Sequence, residues 1–353
     1  MKKKSIVVLA LSMASCMDMN TMQPELSITY PAAFVVNGES STLSVINLAT
    51  NELTNTIQLT DDSGTQMAGM NMGKSLAYPH HIYLNPSKTQ IAIAAPGMDL
   101  SAGHSVNTMG MVGKVAVLDA VKGVNVKVFD AVGMNHNSIY SPNGKEIWTS
   151  QMADNGKVLV YDALTFTLKN TISVGKEPAE VTFSSDGSVA FVANGGSNTV
   201  SAINPDTKAI VATIPVGINP VGAWVGTDGR MYVDNEDGQS VSIIDVKTLK
   251  VVETITLGFM PAFVAYNADM KEMWVTDPTA GKVHWWTKGT DGKMAHSGFI
   301  TTAAGTHAIA FKDMTAYITN QEAASLSVVD VMQHKLIKNI TVGKKPNGIV
   351  IKI

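Results

Sequence analysis

The chain holds 8 histidines and 20 methionines among 353 residues, and both types cluster. His80 and His81 stand side by side in "SLAYPHHIYLNPSK". Met67, Met70 and Met72 fall in "DDSGTQMAGMNMGKSLA" just upstream. Met98, His104, Met109 and Met111 fall in "PGMDLSAGHSVNTMGMVG", and Met134 lies just ahead of His136 in "GMNHNSIYSPNG". Met17, Met19 and Met22 follow Cys16 near the start. Thioether sulfur is a soft ligand and imidazole a borderline one. Together they select copper, Cu(I) above all, over the hard cations that prefer carboxylates. Methionine also fills irregular cores and adaptable binding surfaces, so a Met-lined surface for another partner is the competing reading.

Other chemistries find little support. Cys16 is the one cysteine, which rules out a disulfide framework or a cysteine zinc site within one chain. There is no C-x-x-C-H haem attachment, G-x-S-x-G, H-E-x-x-H or phosphate loop. Carboxylates occur singly, mostly in turns such as "SSDG" and "GTDG", and present no acid–base pair. The formal charge of −3 offers no electrostatic footprint for nucleic acid. No apolar run reaches the roughly 18 residues that span a bilayer as a helix.

The start of the chain does address a membrane. "MKKKSIVVLALSMASC" has a basic opening, a short apolar stretch and small residues before Cys16, as a secretory signal does. The residues ahead of Cys16 resemble a bacterial lipobox, which implies that Cys16 is lipidated and anchors the protein in a membrane. The expected organisation is a signal peptide over 1–16, a Met-containing tether over 17–31 and a folded domain over 32–353. The expected location is the periplasm or cell surface.

What positions the histidines is a repeat. "KEPAEVTFSSDGSVAFVANGGSNTVSAINPDTKAIVATIPVG" is followed by "INPVGAWVGTDGRMYVDNEDGQSVSIIDVKTLKVVETITLG". Each copy contains four short alternating apolar runs separated by turns, the pattern of four antiparallel strands. The second run recurs as "AFVVNG", "IAIAAP", "IWTSQ", "AFVAN", "MYVDN", "MWVTD" and "AYITN", at intervals of 41 to 43 from the third copy onward. Seven such units predict an all-β, seven-bladed β-propeller. The first run lacks a strand before it, whereas "KPNGIVIKI" at the end lacks one after it. The C-terminal strand is therefore expected to complete the first blade and close the ring. The motifs "AYITN" and "AFVAN", followed by "SVVD" or "VSAIN" and then "ITVG" or "IPVG", resemble the YVTN family of bacterial β-propeller repeat proteins. That resemblance implies an extracytoplasmic propeller and carries over no catalytic residues.

Aligning the copies on Pro79, Pro178, Pro220, Pro261 and Pro346 puts Asn347, His80, His136, Ala179, Val221, Ala262 and His307 at one position in blades one to seven. That position precedes the innermost strand and belongs at the mouth of the central channel. His80, His136 and His307 are thus expected to converge on one arc. His81 is expected to point away once the strand has begun. His284, His296 and His334 sit elsewhere in their repeats and read as structural. Both long insertions use turns on the face that carries the three histidines. This brings His104, Met67, Met70, Met72, Met109, Met111 and Met134 toward the same mouth as further candidate ligands. The spacings M-x-M and M-x-x-M-x-M resemble motifs of extracytoplasmic copper transporters and chaperones. Histidines on a propeller also hold the multicopper centre of nitrous oxide reductase, but this chain lacks that enzyme's cupredoxin-like domain. The leading expectation is a monomeric binding protein with copper as its one candidate cofactor. A metal-free scaffold for an envelope protein, glycan or cell-wall component is the alternative, and a copper-dependent redox enzyme the third.

Overall fold

A computed structural model describes residues 26–61, 74–101 and 111–353. Seven four-stranded antiparallel sheets follow one another around a ring. In blades two to seven the strands run in chain order from the channel outward. Their innermost strands are Ile82–Leu84, Ser138–Tyr140, Pro178–Phe183, Pro220–Val225, Val264–Asn267 and Thr306–Lys312.

Blade one closes the ring as the repeat arithmetic predicts. Its innermost strand is Pro346–Lys352, which pairs antiparallel with Ala32–Asn37 through Ala32–Lys352, Ala33–Ile351 and Phe34–Val350. Strands from the two ends of the described chain therefore share one sheet, and closure gives Ala32–Asn37 a partner on its inner edge.

The second strand of each blade is buried on both faces, because neighbouring blades cover it. One register position of this strand is large and aromatic in six blades: Phe34, Trp148, Phe191, Tyr232, Trp274 and Tyr317, each at most 2% exposed. Blade two carries Ala92 there, and its space is shared with Tyr140 and Tyr161 of blade three. The asparagine that ends "AFVVN", "AFVAN", "MYVDN" and "AYITN" has a structural task. Asn37, Asn194, Asn235 and Asn320 each donate to two hydroxyls of the following strand, as Asn194 does to Thr199 and Ser201 at 3.2 and 3.0 Å.

A bulge recurs where the innermost strand starts. In blade two, the His80 N–H donates to Ala94 O at 2.8 Å, and the Ala94 N–H donates to His81 O at 3.2 Å. Two residues thus oppose one, which interrupts side-chain alternation. Ala262 and Phe263 share Thr276 in the same way in blade six. Register shifts at the same place mark blades one, four, five and seven.

Candidate metal site at the channel mouth

Pairing fixes which residues form each layer of the channel. The first layer holds Asn347, His80, His136, Ala179, Val221, Ala262 and His307, the register expected from the prolines. The second layer, one residue further along, holds Gly348, His81, Asn137, Glu180, Gly222, Phe263 and Ala308. Polar residues therefore occupy blades seven, one, two and three in the first layer and blades two to four in the second, so the two polar arcs overlap in blades two and three.

His80, His136 and His307 come together as the alignment predicts. The ring centroids of His80 and His136 are 4.5 Å apart, and that of His307 lies 6.1 Å from His80. All three are buried. The expectation for His81 needs correction. Its ring stacks on His80 at 4.6 Å and lies 4.8 Å from His136. The innermost strand begins only at Ile82, and the bulge at His80–His81 removes the alternation that would have turned His81 outward. Gly348 stands at the matching place in blade one. A Cβ there would come within 3.0 Å of the His81 Cα, so the glycine admits this close approach.

One ring nitrogen from each of His80, His81 and His136 lies within 4.8 Å of the others. Small side-chain rotations would bring such a set to the roughly 2.0–2.1 Å metal–nitrogen distance of tetrahedral sites. His307 stands at the edge of this group.

The absence of an acid–base pair, expected from the sequence, also needs correction. Glu180, fully buried, approaches His136 Nδ1 with Oε2 at 2.8 Å, and its Oε1 is 3.7 Å from His81 Nδ1. The Asn137 amide donates to Oε1 at 2.8 Å, and the Tyr83 hydroxyl donates to the same oxygen. Burial pushes this carboxyl up to about 8, against the hydrogen bonds from Tyr83 and Asn137 that favour its charge. The carboxylate form therefore needs a cation beside it. A carboxylate in contact with one ring nitrogen, as Glu180 is with His136 Nδ1, is the arrangement in which a carboxylate orients a metal-binding imidazole. Glu180 occupies the register position of His81, and a register shift at the start of its strand accompanies its inward placement.

Of the candidate methionines, Met111 and Met134 lie among the described residues. Met134 and Met152 are buried with Leu100 against Ala179 and Val221, and Met98 and Met111 pack on this cluster. Ala179 and Val221 are the first-layer residues of blades four and five. The thioethers thus gather at the same mouth, beside the histidine arc. Met98 of the second insertion belongs to this group, and Met152 joins it without having been selected as a candidate ligand. Met67, Met70, Met72, His104, Met109 and Cys16 fall outside the described residues.

The remaining histidines lie in blades six and seven. His334 contacts Glu272 at 3.0 Å and stacks on Trp285. His284 Nδ1 and His296 Nε2 are 3.1 Å apart on adjacent outer strands.

No family profile and no curated protein sequence matches the chain. Solved structures share its fold. A functionally unknown protein from Desulfotomaculum acetoxidans is 12% identical, with 91% of this chain and 98% of that one covered at a TM-score of 0.69. The periplasmic gluconolactonase of Pseudomonas aeruginosa is 13% identical, with 92% and 99% covered and a TM-score of 0.66. The hydrazine synthase of Kuenenia stuttgartiensis is 18% identical, with 80% and 92% covered and a TM-score of 0.63. At these identities the likeness establishes the propeller and nothing of its chemistry.

Proposed function

We propose that this protein is an extracytoplasmic, lipid-anchored propeller of YVTN type that binds copper at the channel mouth. The observation that carries the reading is the buried set of His80, His81 and His136 nitrogens within 4.8 Å of one another. His307 stands within reach of that set. Ligands held on separate blades are positioned by the ring itself, which suits a geometrically defined site. The methionines packed beside the arc favour a soft ion over zinc or a hard cation. Met67, Met70, Met72, Met109 and His104 belong to the two insertions of the sequence, and the role assigned to them in this reading is to deliver or complete ligation. A metal-free scaffold that docks an envelope protein, glycan or cell-wall component is the reading this one displaces. A copper-dependent redox reaction would require turnover in addition to binding.

The test is copper stoichiometry and affinity, by elemental analysis and competition titration, in the wild type and in His80→Ala, His81→Ala, His136→Ala and His307→Ala, singly and together. We expect one tightly bound copper in the wild type and its loss in the combined variant. His334→Ala should bind as the wild type does. A combined variant that binds copper like its parent would leave the histidines as polar packing of the channel and return the scaffold reading. The anchor is checked by fractionation, in which Cys16→Ser is expected to leave the membrane fraction or persist as a precursor.

A further inference from the structure

The channel has a second end, and its chemistry is different. A cavity of about 410 Å³ is lined by the C-terminal halves of the innermost strands of blades two to seven, away from the face that bears the histidines. Its volume falls in the range of about 300–1,000 Å³ typical of small-molecule sites. Tyr83, Phe183, Trp224, Phe263, Tyr266 and Phe311 contribute aromatic surface to its walls. Trp224 separates the two ends. Its indole stacks on His81 with centroids 5.6 Å apart, and it packs against Phe263 at 3.9 Å. Gly222, in the second layer, makes this possible, since a Cβ there would sit 2.2 Å from the indole.

None of the lining residues carries a formal charge. Apart from the Tyr266 hydroxyl, their side-chain polar atoms are engaged with the fold. The Trp224 N–H donates to Asp234, Tyr140 to Gln90, Ser141 to Asn143, Thr182 to Ala223 O and Tyr83 to Glu180. A phosphate or polyol entering here would lose its water and meet few polar partners in return, at a cost of several kcal/mol. A flat apolar molecule would meet ring faces that prefer offset-stacked or edge-to-face contact. We propose that this end of the channel is a binding site for an uncharged, planar aromatic small molecule. The site does not depend on copper at the other end, although Trp224 touches both.

The test uses the neutral fluorophore N-phenyl-1-naphthylamine, whose emission rises in apolar surroundings, on the full-length protein. Saturable 1:1 binding is expected. Ala265→Trp, which fills the cavity, should weaken binding by about tenfold or more while leaving copper content unchanged. Ala265→Leu serves the same purpose with less volume if the tryptophan variant does not fold. Naphthalene, decanol and glucose 6-phosphate are the competitors; naphthalene should displace the probe, and the other two should do so poorly. Non-saturable binding, or unchanged affinity in the cavity-filling variant, would overturn the site. Displacement by decanol at lower concentration than by naphthalene would assign the cavity to a flexible chain instead. Displacement by glucose 6-phosphate would refute the argument from charge. Because copper content is read separately, failure here is distinguishable from failure of the histidine site.

Discussion

Glu180 and Asp234 are both fully buried carboxyls near the channel, and their surroundings differ in kind. Glu180 meets His136, Asn137 and Tyr83, so each of its oxygens is engaged. Asp234 receives the Trp224 indole N–H and the Gly222 N–H on Oδ1, while Oδ2 has no hydrogen-bond partner among the described residues. Burial holds the Asp234 carboxyl well above its ordinary 3.8, with Glu236 adding to the effect. The folded chain therefore keeps a proton that the unfolded chain releases as pH rises past that ordinary value. The stabilisation is complete below it and is lost toward the raised folded value. Asp234→Asn cannot titrate and should remove this part of the slope. Thermal melting from about pH 5 to about pH 9 should show the variant gaining on the wild type as pH rises. Parallel melting curves would mean that the two states of Asp234 are not coupled to folding.

At the scale of the strand, one position in each blade carries the inter-blade packing. Phe34, Trp148, Phe191, Tyr232, Trp274 and Tyr317 share it, and each is wedged between adjacent sheets. Phe191 packs with Val200, Ala223 and Val233, so it joins blade four to blade five. Phe191→Ala should cost about 3–5 kcal/mol, the transfer term plus the cavity that rigid neighbouring sheets cannot close. Denaturant titration would read this as a lower midpoint, and a loss below about 1 kcal/mol would show that the blades relax toward each other. The bulge at the start of the innermost strand is the second strand-level device. It lets consecutive residues face the channel, so two layers of side chains converge within one turn of the ring.

For the molecule as a whole, stability rests on closure. Pro346–Lys352 supplies the inner strand of blade one, and Asn347 also accepts from Thr319 and Gln321 of blade seven through its backbone and side chain. Deleting Asn347–Ile353 would remove these bonds, uncover Ala33, Val35 and Val350's neighbours, and leave Ala32–Asn37 as an unpaired edge. Insolubility or a large fall in melting temperature is the expected outcome, checked by expression and calorimetry. A truncated protein that melts like the parent would overturn the closed ring as the source of stability.

The period near 42, the alternation within each run and the turn residues between runs are local properties, and they sufficed for blade number, strand order and closure. They also sufficed for His80, His136 and His307, because equivalent places in a repeat become neighbours once the repeat is wound into a ring. His81 and Glu180 were not legible in this way. Their inward placement depends on a backbone bulge that opposes two residues to one, and no residue type in "YPHHIY" or "EPAEVTF" encodes that in isolation. Nor could the sequence show that Glu180 of blade four meets His136 of blade three, a contact across 44 positions. The cavity beyond Trp224 likewise exists only through tertiary structure. Each of its aromatic residues reads as ordinary strand packing, and only the ring turns them toward a common space.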